Sequence, residues 1–219
     1  MKIRPKAFAA MLALSGTFST GAEAAIVTFD FAAIADGDAS YGVPAGEYGA
    51  TSMTFTKDGL SVTATAHRAS DPDTAFHPYL DENHAGLGVC KELNYSDHCT
   101  PASDDNVTDD ESLVLRFDRA VTIESIRFRN GRHGRKFAHD ASFWLSIDGG
   151  ADSTYALAHL FDTPLTGTEF VFSNLNGSNR DKYVFYIESL TVQAVPVPPA
   201  VWLFGSGLIG LAGVARRRS

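Results

Sequence analysis

The sequence predicts an all-β domain, an antiparallel β-sandwich of the jelly-roll kind, between an N-terminal signal peptide and one C-terminal transmembrane helix. Short stretches of alternating apolar and polar residues recur along the middle of the chain, with turn residues between them. Helical periodicity is almost missing there, which excludes a parallel α/β fold with its crossover helices. The 219 residues therefore form one domain, residues 25–193, with a processing segment on each side, 1–24 and 194–219.

Alternation and turn signals place the strands in order. Lys57-Asp58-Gly59 separates two alternating runs and predicts a hairpin. Residues 67–110 are rich in Asp, His, Pro, Asn and Gly, which predicts loops with a single strand at 87–89, and Asp118-Arg119-Ala120 predicts a turn. The predicted strands are 26–31, 53–56, 60–66, 87–89, 112–117, 121–129, 142–148, 154–160, 169–173 and 183–193.

The N-terminal segment has the organisation of a secretory signal peptide. Three basic residues within the first six precede an uncharged apolar run at 7–18, and Ala22 and Ala24 stand at the −3 and −1 positions of a cleavage site. We therefore expect cleavage between Ala24 and Ala25.

The C-terminal segment predicts a membrane span. Three prolines within residues 195–199 form a spacer that neither a strand nor a helix can use. Residues 200–215 are apolar apart from Ser206, and at about 1.5 Å per residue they would span roughly 24 Å, short for a bilayer but workable with arginines at the end. Arg216, Arg217 and Arg218 should stay cytoplasmic by the positive-inside rule.

The order of these C-terminal features resembles the PEP-CTERM sorting signal of Gram-negative bacteria. Its Pro-Glu-Pro is replaced here by a box similar to the family's VPxPA variants, made of Val195, Pro196, Val197, Pro198, Pro199 and Ala200. The resemblance covers residues 195–219. It implies an exosortase as partner, transient anchoring in the inner membrane, cleavage near the proline box, and release to the cell surface or to the exopolysaccharide matrix of a biofilm.

A second resemblance covers residues 84–148. Gly86-Leu87-Gly88-Val89, an acidic loop, residues 111–117 and a following Val-x-Ile-x-x-Ile strand look like a module of PEP-CTERM surface proteins and are similar to galactose-binding-like sandwiches. This resemblance implies binding and no catalytic residue.

The only two cysteines, Cys90 and Cys99, lie in a polar, turn-rich stretch. In an exported chain such a pair predicts a disulfide-closed surface loop. A zinc site is the alternative, with His84 and His98 nearby, but the ligand spacing of such sites is missing.

An acidic loop lies just before the strand at 112–117. Hard cations bind clustered oxygens on irregular backbone, so calcium is the candidate cofactor of this loop, and a solvated acidic loop is the alternative. The candidate ligands are Asp104, Asp105, Asn106, Asp109, Asp110 and Glu111.

A basic island interrupts a domain that is otherwise acidic. Between residues 25 and 199 there are 12 basic and 25 acidic side chains, a charge that disfavours nucleic acid as a partner. Guanidinium groups match carboxylates and sulfates, so the island could contact an anionic exopolysaccharide, or its arginines could balance nearby carboxylates. Its members are Arg127, Arg129, Arg132, Arg135 and Lys136.

No motif of catalysis is found. The chain lacks a G-x-S-x-G elbow, an H-E-x-x-H helix and a phosphate loop, and its seven histidines are scattered. We therefore predict a non-enzymatic exported protein of the cell surface or extracellular matrix, associated with exopolysaccharide. A calcium-dependent carbohydrate-binding module is the alternative, and a secreted hydrolase is the less favoured third hypothesis.

Overall fold

The computed structural model describes residues 25–158, 164–174 and 179–195, and the regular secondary structure within them is almost entirely β-strand. The all-β prediction is confirmed. A five-residue helix, α1 (Phe31–Ala35), follows the first strand. The strands are β1 (Ile26–Asp30), β2 (Tyr48–Gly49), β3 (Met53–Lys57), β4 (Leu60–Arg68), β5 (Asp71–Asp81), β6 (Gly86–Cys90), β7 (Glu111–Asn130), β8 (Ser142–Ile147), β9 (Ser153–Ala156), β10 (Leu165–Asn174) and β11 (Phe185–Ala194).

Several predictions concern residues outside these ranges. They are the signal peptide up to Ala24 and the sorting signal from Pro196 through the apolar span to Arg218. Among the described residues, none belongs to a helix with the length and apolar character that a bilayer crossing needs.

Every pairing between these strands is antiparallel, and five strands close into a barrel. Hydrogen-bonded neighbours follow the order β1-β11-β6-β5-β4-β7-β10-β8-β9, and an additional pairing of β11 with β7 closes the ring β4-β5-β6-β11-β7. The short strands β2 and β3 pair with β5 and β4. Closure gives each of these five strands a neighbour on both sides, which removes the unpaired edges that invite association with other chains.

The longest strand, β7, serves two partners along one edge. Residues 111–117 pair with β4, and residues 121–130 pair with β11. The predicted turn at 118–120 is therefore wrong, because the chain continues as one strand there. Its polar residues Asp118 and Arg119 are exposed where the partner changes, and Arg119 Nη2 donates to the Gly59 carbonyl at 2.8 Å.

The prediction of loops across residues 67–110 is also wrong in part. Strand β5 has eleven residues and lies in the barrel between β4 and β6. Pro72 and Pro78 interrupt its pattern, and Pro78 is buried within the strand although it cannot donate a ladder hydrogen bond. The register Tyr79↔Gly88 and Asp81↔Gly86 brings the end of β5 beside β6.

Phenylalanines from several strands meet in the core. Phe143 of β8 lies 5.7 Å from Phe185 of β11 and 5.8 Å from Phe172 of β10, measured between ring centroids. Phe128 of β7 lies 5.0 Å from Phe143. The strands β8 and β10 thus pack their apolar faces against the barrel strands.

Candidate functional site

A disulfide and a lysine side chain position the acidic loop that the sequence indicated for calcium. The predicted disulfide Cys90–Cys99 is present, with sulfurs 2.06 Å apart, and it ties the end of β6 to the start of the loop 100–110. Lys91 follows β6 directly, and its ammonium contacts carboxylates at both ends of the loop. The loop is thus held by one covalent bond and by one charged side chain.

The ammonium of Lys91 lies between two of the proposed calcium ligands. Lys91 Nζ is 3.0 Å from Asp104 Oδ1 and 2.5 Å from Glu111 Oε1. Glu111 is fully buried, and its Oε2 accepts from the Thr108 amide at 2.7 Å. Burial raises the pKa of Glu111 to about 7, although Lys91 opposes the rise. The position between Asp104 and Glu111, where a cation would bind, is therefore occupied by the ammonium of Lys91.

The other predicted calcium ligands point to different partners. Asp110 accepts hydrogen bonds from the Ser70 amide at 2.8 Å and the Ser70 hydroxyl at 3.0 Å, and the Asp109 backbone amide donates to Asn179 Oδ1 at 3.1 Å. Within the ranges that the structure describes, no group of three His, Cys, Asp or Glu side chains is arranged to hold a metal ion. Three of the proposed ligands, Asp104, Asp105 and Asn106, line one cavity.

That cavity, which we call the acceptor cleft, has a volume of about 370 Å³. Oxygen-bearing side chains dominate its lining, and the loop, the turn after β7 and the segment leading into β11 each form one wall. The lining residues are Pro101, Ser103, Asp104, Asp105, Asn106, Thr108, Gly131, His133, Asn179, Asp181, Val184 and Tyr186.

A hydrogen-bond network fixes the floor of the acceptor cleft. The buried Tyr186 hydroxyl donates to Asp105 Oδ1 at 2.6 Å. Asn106 Nδ2 donates to the same oxygen at 3.1 Å and contacts the Tyr186 hydroxyl at 3.4 Å. Burial raises the pKa of Asp105, and the donors from Tyr186 and Asn106 offset part of the rise. Among the residues that the structure describes, none forms a hydrogen bond with Asn106 Oδ1, although Asn106 is only 5% exposed.

His133 links the cleft to a second buried carboxyl. His133 Nε2 lies 3.0 Å from Asp81 Oδ2, but the geometry of this contact is not that of a hydrogen bond. His133 Nδ1 lies 3.1 Å from the Asn83 carbonyl oxygen. Burial, and then the charge of Asp105, raise the pKa of Asp81 to about 7. This carboxyl therefore keeps its proton to a much higher pH than a solvated aspartate.

The substitution Asp81→Asn tests this proton. In the wild type the folded state holds the proton between about pH 4 and pH 7 while the unfolded state releases it, so the free energy of unfolding falls with rising pH by at most about 1.4 kcal/mol per unit. We expect urea unfolding at several pH values to show that the free energy of unfolding of the variant rises relative to that of the wild type as the pH increases from about 4 to about 7. Asp73→Asn, at an exposed position, is the control. Parallel pH curves for the wild type and Asp81→Asn would contradict the assignment.

The structure divides the basic island of the sequence. Arg129 Nη2 and Arg135 Nη2 lie 2.9 and 2.7 Å from Glu188 Oε1, and Arg132 pairs with Asp181. Arg127 lines a smaller cavity of about 230 Å³ beside Phe137. Lys136 is exposed, and its backbone carbonyl accepts from Asn130 Nδ2. Three of the five basic residues therefore balance carboxylates of the same domain.

A third cavity, of about 390 Å³, adjoins the acceptor cleft at Asp181, and we call it the basic groove. Arg132, Arg180, Lys182 and Tyr183 line it, and Arg180 and Lys182 are exposed. The sequence analysis missed Arg180 and Lys182, as well as Asp81 and Tyr186 of the acceptor cleft, and it did not place His133 there. A polar residue at the end of an apolar strand, such as Asp81, was the one local signal.

Comparison with known protein families, with curated proteins and with solved structures finds no match for this chain.

Proposed function

We propose that this chain is an exported, non-enzymatic protein of the cell surface or extracellular matrix, sorted and cleaved by an exosortase and associated with exopolysaccharide. The observation that carries the proposal is the order of features at the two ends. A signal peptide precedes the domain, and a proline box, an apolar segment and three arginines follow it. Before cleavage, the segment 200–215 anchors the chain in the inner membrane.

The disulfide supports export. Cys90 and Cys99 are both buried and bonded to each other, and such bonds persist in oxidising compartments outside the cytoplasm. A domain that depends on this bond would be best suited to the cell surface or the matrix.

The two cavities support association with a polysaccharide. The acceptor cleft offers oxygens to sugar hydroxyls, and the guanidinium and ammonium groups of the basic groove match the carboxylates of an anionic exopolysaccharide. Their shared wall at Asp181 lets one extended polymer reach both. We also propose that the domain is a β-sandwich of the jelly-roll or galactose-binding-like kind. The packing of β8 and β10 on β7 and β11 supports this assignment.

A calcium-dependent carbohydrate-binding module is the second candidate function. The observation that favours it is the unpartnered Asn106 Oδ1 beside the carboxylate of Asp105. Calcium titration of the full chain, with glycan binding as the readout, separates this candidate from binding that needs no cation.

The intact mass of the surface form tests sorting. The full-length chain is expressed in a native-type host with its exosortase present and with the exosortase deleted. We expect a species that begins at Ala25 and ends near residues 195–200 only when the exosortase is present. A species that keeps residues 200–219 in both strains would show that the tail is a plain anchor, and the proposed sorting would be wrong.

A further inference from the structure

We infer that the acceptor cleft binds a neutral, hydroxyl-rich sugar unit, with the Asn106 side-chain carbonyl as its buried hydrogen-bond acceptor. The inference rests on the proposed function, because it names the part of the exopolysaccharide that this surface recognises. It assigns the neutral unit to a site other than the basic island, which the sequence had indicated for an anionic polymer.

The orientation of the Asn106 amide is fixed by its neighbours. Its Nδ2 lies 3.1 Å from Asp105 Oδ1, which also accepts from the Tyr186 hydroxyl at 2.6 Å. Rotating the amide by half a turn would place two oxygens against each other, so the carbonyl oxygen must be the atom without a partner. A buried acceptor of this kind is costly until a donor reaches it, and Asn106 lines the cleft through which a donor can enter.

The chemistry of the lining selects the class of ligand. Asp104 and Asp181 already have their cations, Lys91 and Arg132, so two of the carboxylates do not call for a further positive charge. An anionic ligand would meet Asp105 and those carboxylates as like charges. Hydroxyl groups donate to such oxygens without adding charge, and Val184 and Pro101 offer apolar surface to the C–H faces of a sugar ring.

The cleft is formed before any ligand arrives. A Cβ added at Gly88 of β6 would lie 2.1 Å from the Asp105 carbonyl oxygen and 2.8 Å from Asn106 Cα, so the loop rests directly on the β6 backbone. A Cβ at Gly131 would lie 2.7 Å from Val184 Cγ2, which fixes the opposite wall in the same way. Preformed geometry lowers the entropic cost of binding a small ligand.

The test measures binding of neutral hexose and N-acetylhexosamine oligosaccharides to the full-length chain by calorimetry, in the presence of a calcium chelator. Asn106→Leu keeps the number of side-chain heavy atoms and removes the acceptor together with the Nδ2 donor to Asp105. Ser103→Trp fills the cleft from its exposed rim and leaves the buried network intact. Ala102→Trp is the matched control, since Ala102 is exposed beside Ser103 but does not line the cleft.

We expect at least one neutral oligosaccharide to bind, each cleft variant to weaken its Kd by roughly tenfold or more, and the Ala102→Trp control to bind like the wild type. Should Asn106→Leu fail to fold, Ser103→Trp still decides the question. The inference is overturned if no neutral oligosaccharide binds, if both cleft variants bind like the wild type, or if binding requires calcium. If the chain is sorted to the matrix but shows any of these results, the inference about the acceptor cleft is wrong and the proposed sorting stands. If the chain is not processed but still binds through the acceptor cleft, only the proposed sorting is wrong.

Discussion

Replacing Lys91 with methionine is expected to lower the free energy of unfolding by about 2 kcal/mol at pH 8, of which the ionisation of Glu111 above its pKa of about 7 supplies at most about 1.4 kcal/mol. The substitution leaves Glu111, which is fully buried, with the Thr108 amide as its remaining hydrogen-bond donor. Breaking a buried ion pair on one side costs more than the pair contributes, because the stranded charge stays out of water. The Lys91 side chain is 39% exposed, so the expected loss lies below the roughly 3 to 5 kcal/mol that breaking a fully buried pair costs.

The pH dependence of this loss identifies its cause. The pKa of Glu111 is already raised to about 7, so at pH 5 the carboxyl is protonated with or without Lys91, and the loss should be small. Above pH 7 the wild type ionises beside its ammonium while the variant either retains the proton or buries a bare charge, so the loss should grow. Urea unfolding at pH 5 and pH 8 measures it, and the double variant Lys91→Met/Glu111→Gln should recover most of the stability. An equal loss at both pH values would contradict the role of this ion pair.

Alternation in the sequence predicts a strand wherever one face is buried and the other is solvated. Strand β4 shows this clearly, because its burial alternates along nine residues, and the hairpin before it was placed by Asp58 and Gly59, both of which adopt positive φ. Strand β5 escaped detection because both faces are buried toward its end and Pro78 lies inside it. Strand β7 was divided because Asp118 and Arg119 interrupt its apolar pattern where the strand changes partners.

The candidate site was less accessible to sequence reasoning, because its members come from distant segments. The acidic loop could be found from local density of oxygens, but the position of Lys91 between Asp104 and Glu111 depends on how β6 leaves the barrel. Likewise, Tyr186 reaches Asp105 only because β11 pairs with β6 and β7. The density of acidic residues in one stretch of sequence therefore indicated one wall of the acceptor cleft. The other walls depend on how the strands pair in the barrel, which the sequence did not show.

Replacing Cys90 and Cys99 together with alanine is expected to lower the free energy of unfolding by roughly 2 to 3 kcal/mol. The bond closes a loop over a sequence separation of nine, and it removes conformations mainly from the unfolded chain. Both cysteines are also buried beside Tyr79 and Leu93, so their packing contributes to the loss. Urea unfolding of the oxidised wild type and the double variant measures the difference. Reduction should shift the wild-type midpoint and leave that of the double variant unchanged, and equal midpoints for the oxidised and reduced wild type would contradict the prediction.

The same variant separates two ways in which the disulfide can act on the acceptor cleft. If the bond stabilises only through the unfolded chain, the folded double variant keeps Asp105 and Asn106 on Gly88 and binds neutral oligosaccharides like the wild type at low temperature. If the bond holds the loop in place, binding weakens while the barrel, which closes through β4, β5, β6, β11 and β7 without any residue of the loop, remains folded. The contacts of Lys91 with Asp104 and Glu111 hold the loop independently of the cysteines, so we expect the first result at pH 8 and a weaker cleft only when Lys91 is replaced as well.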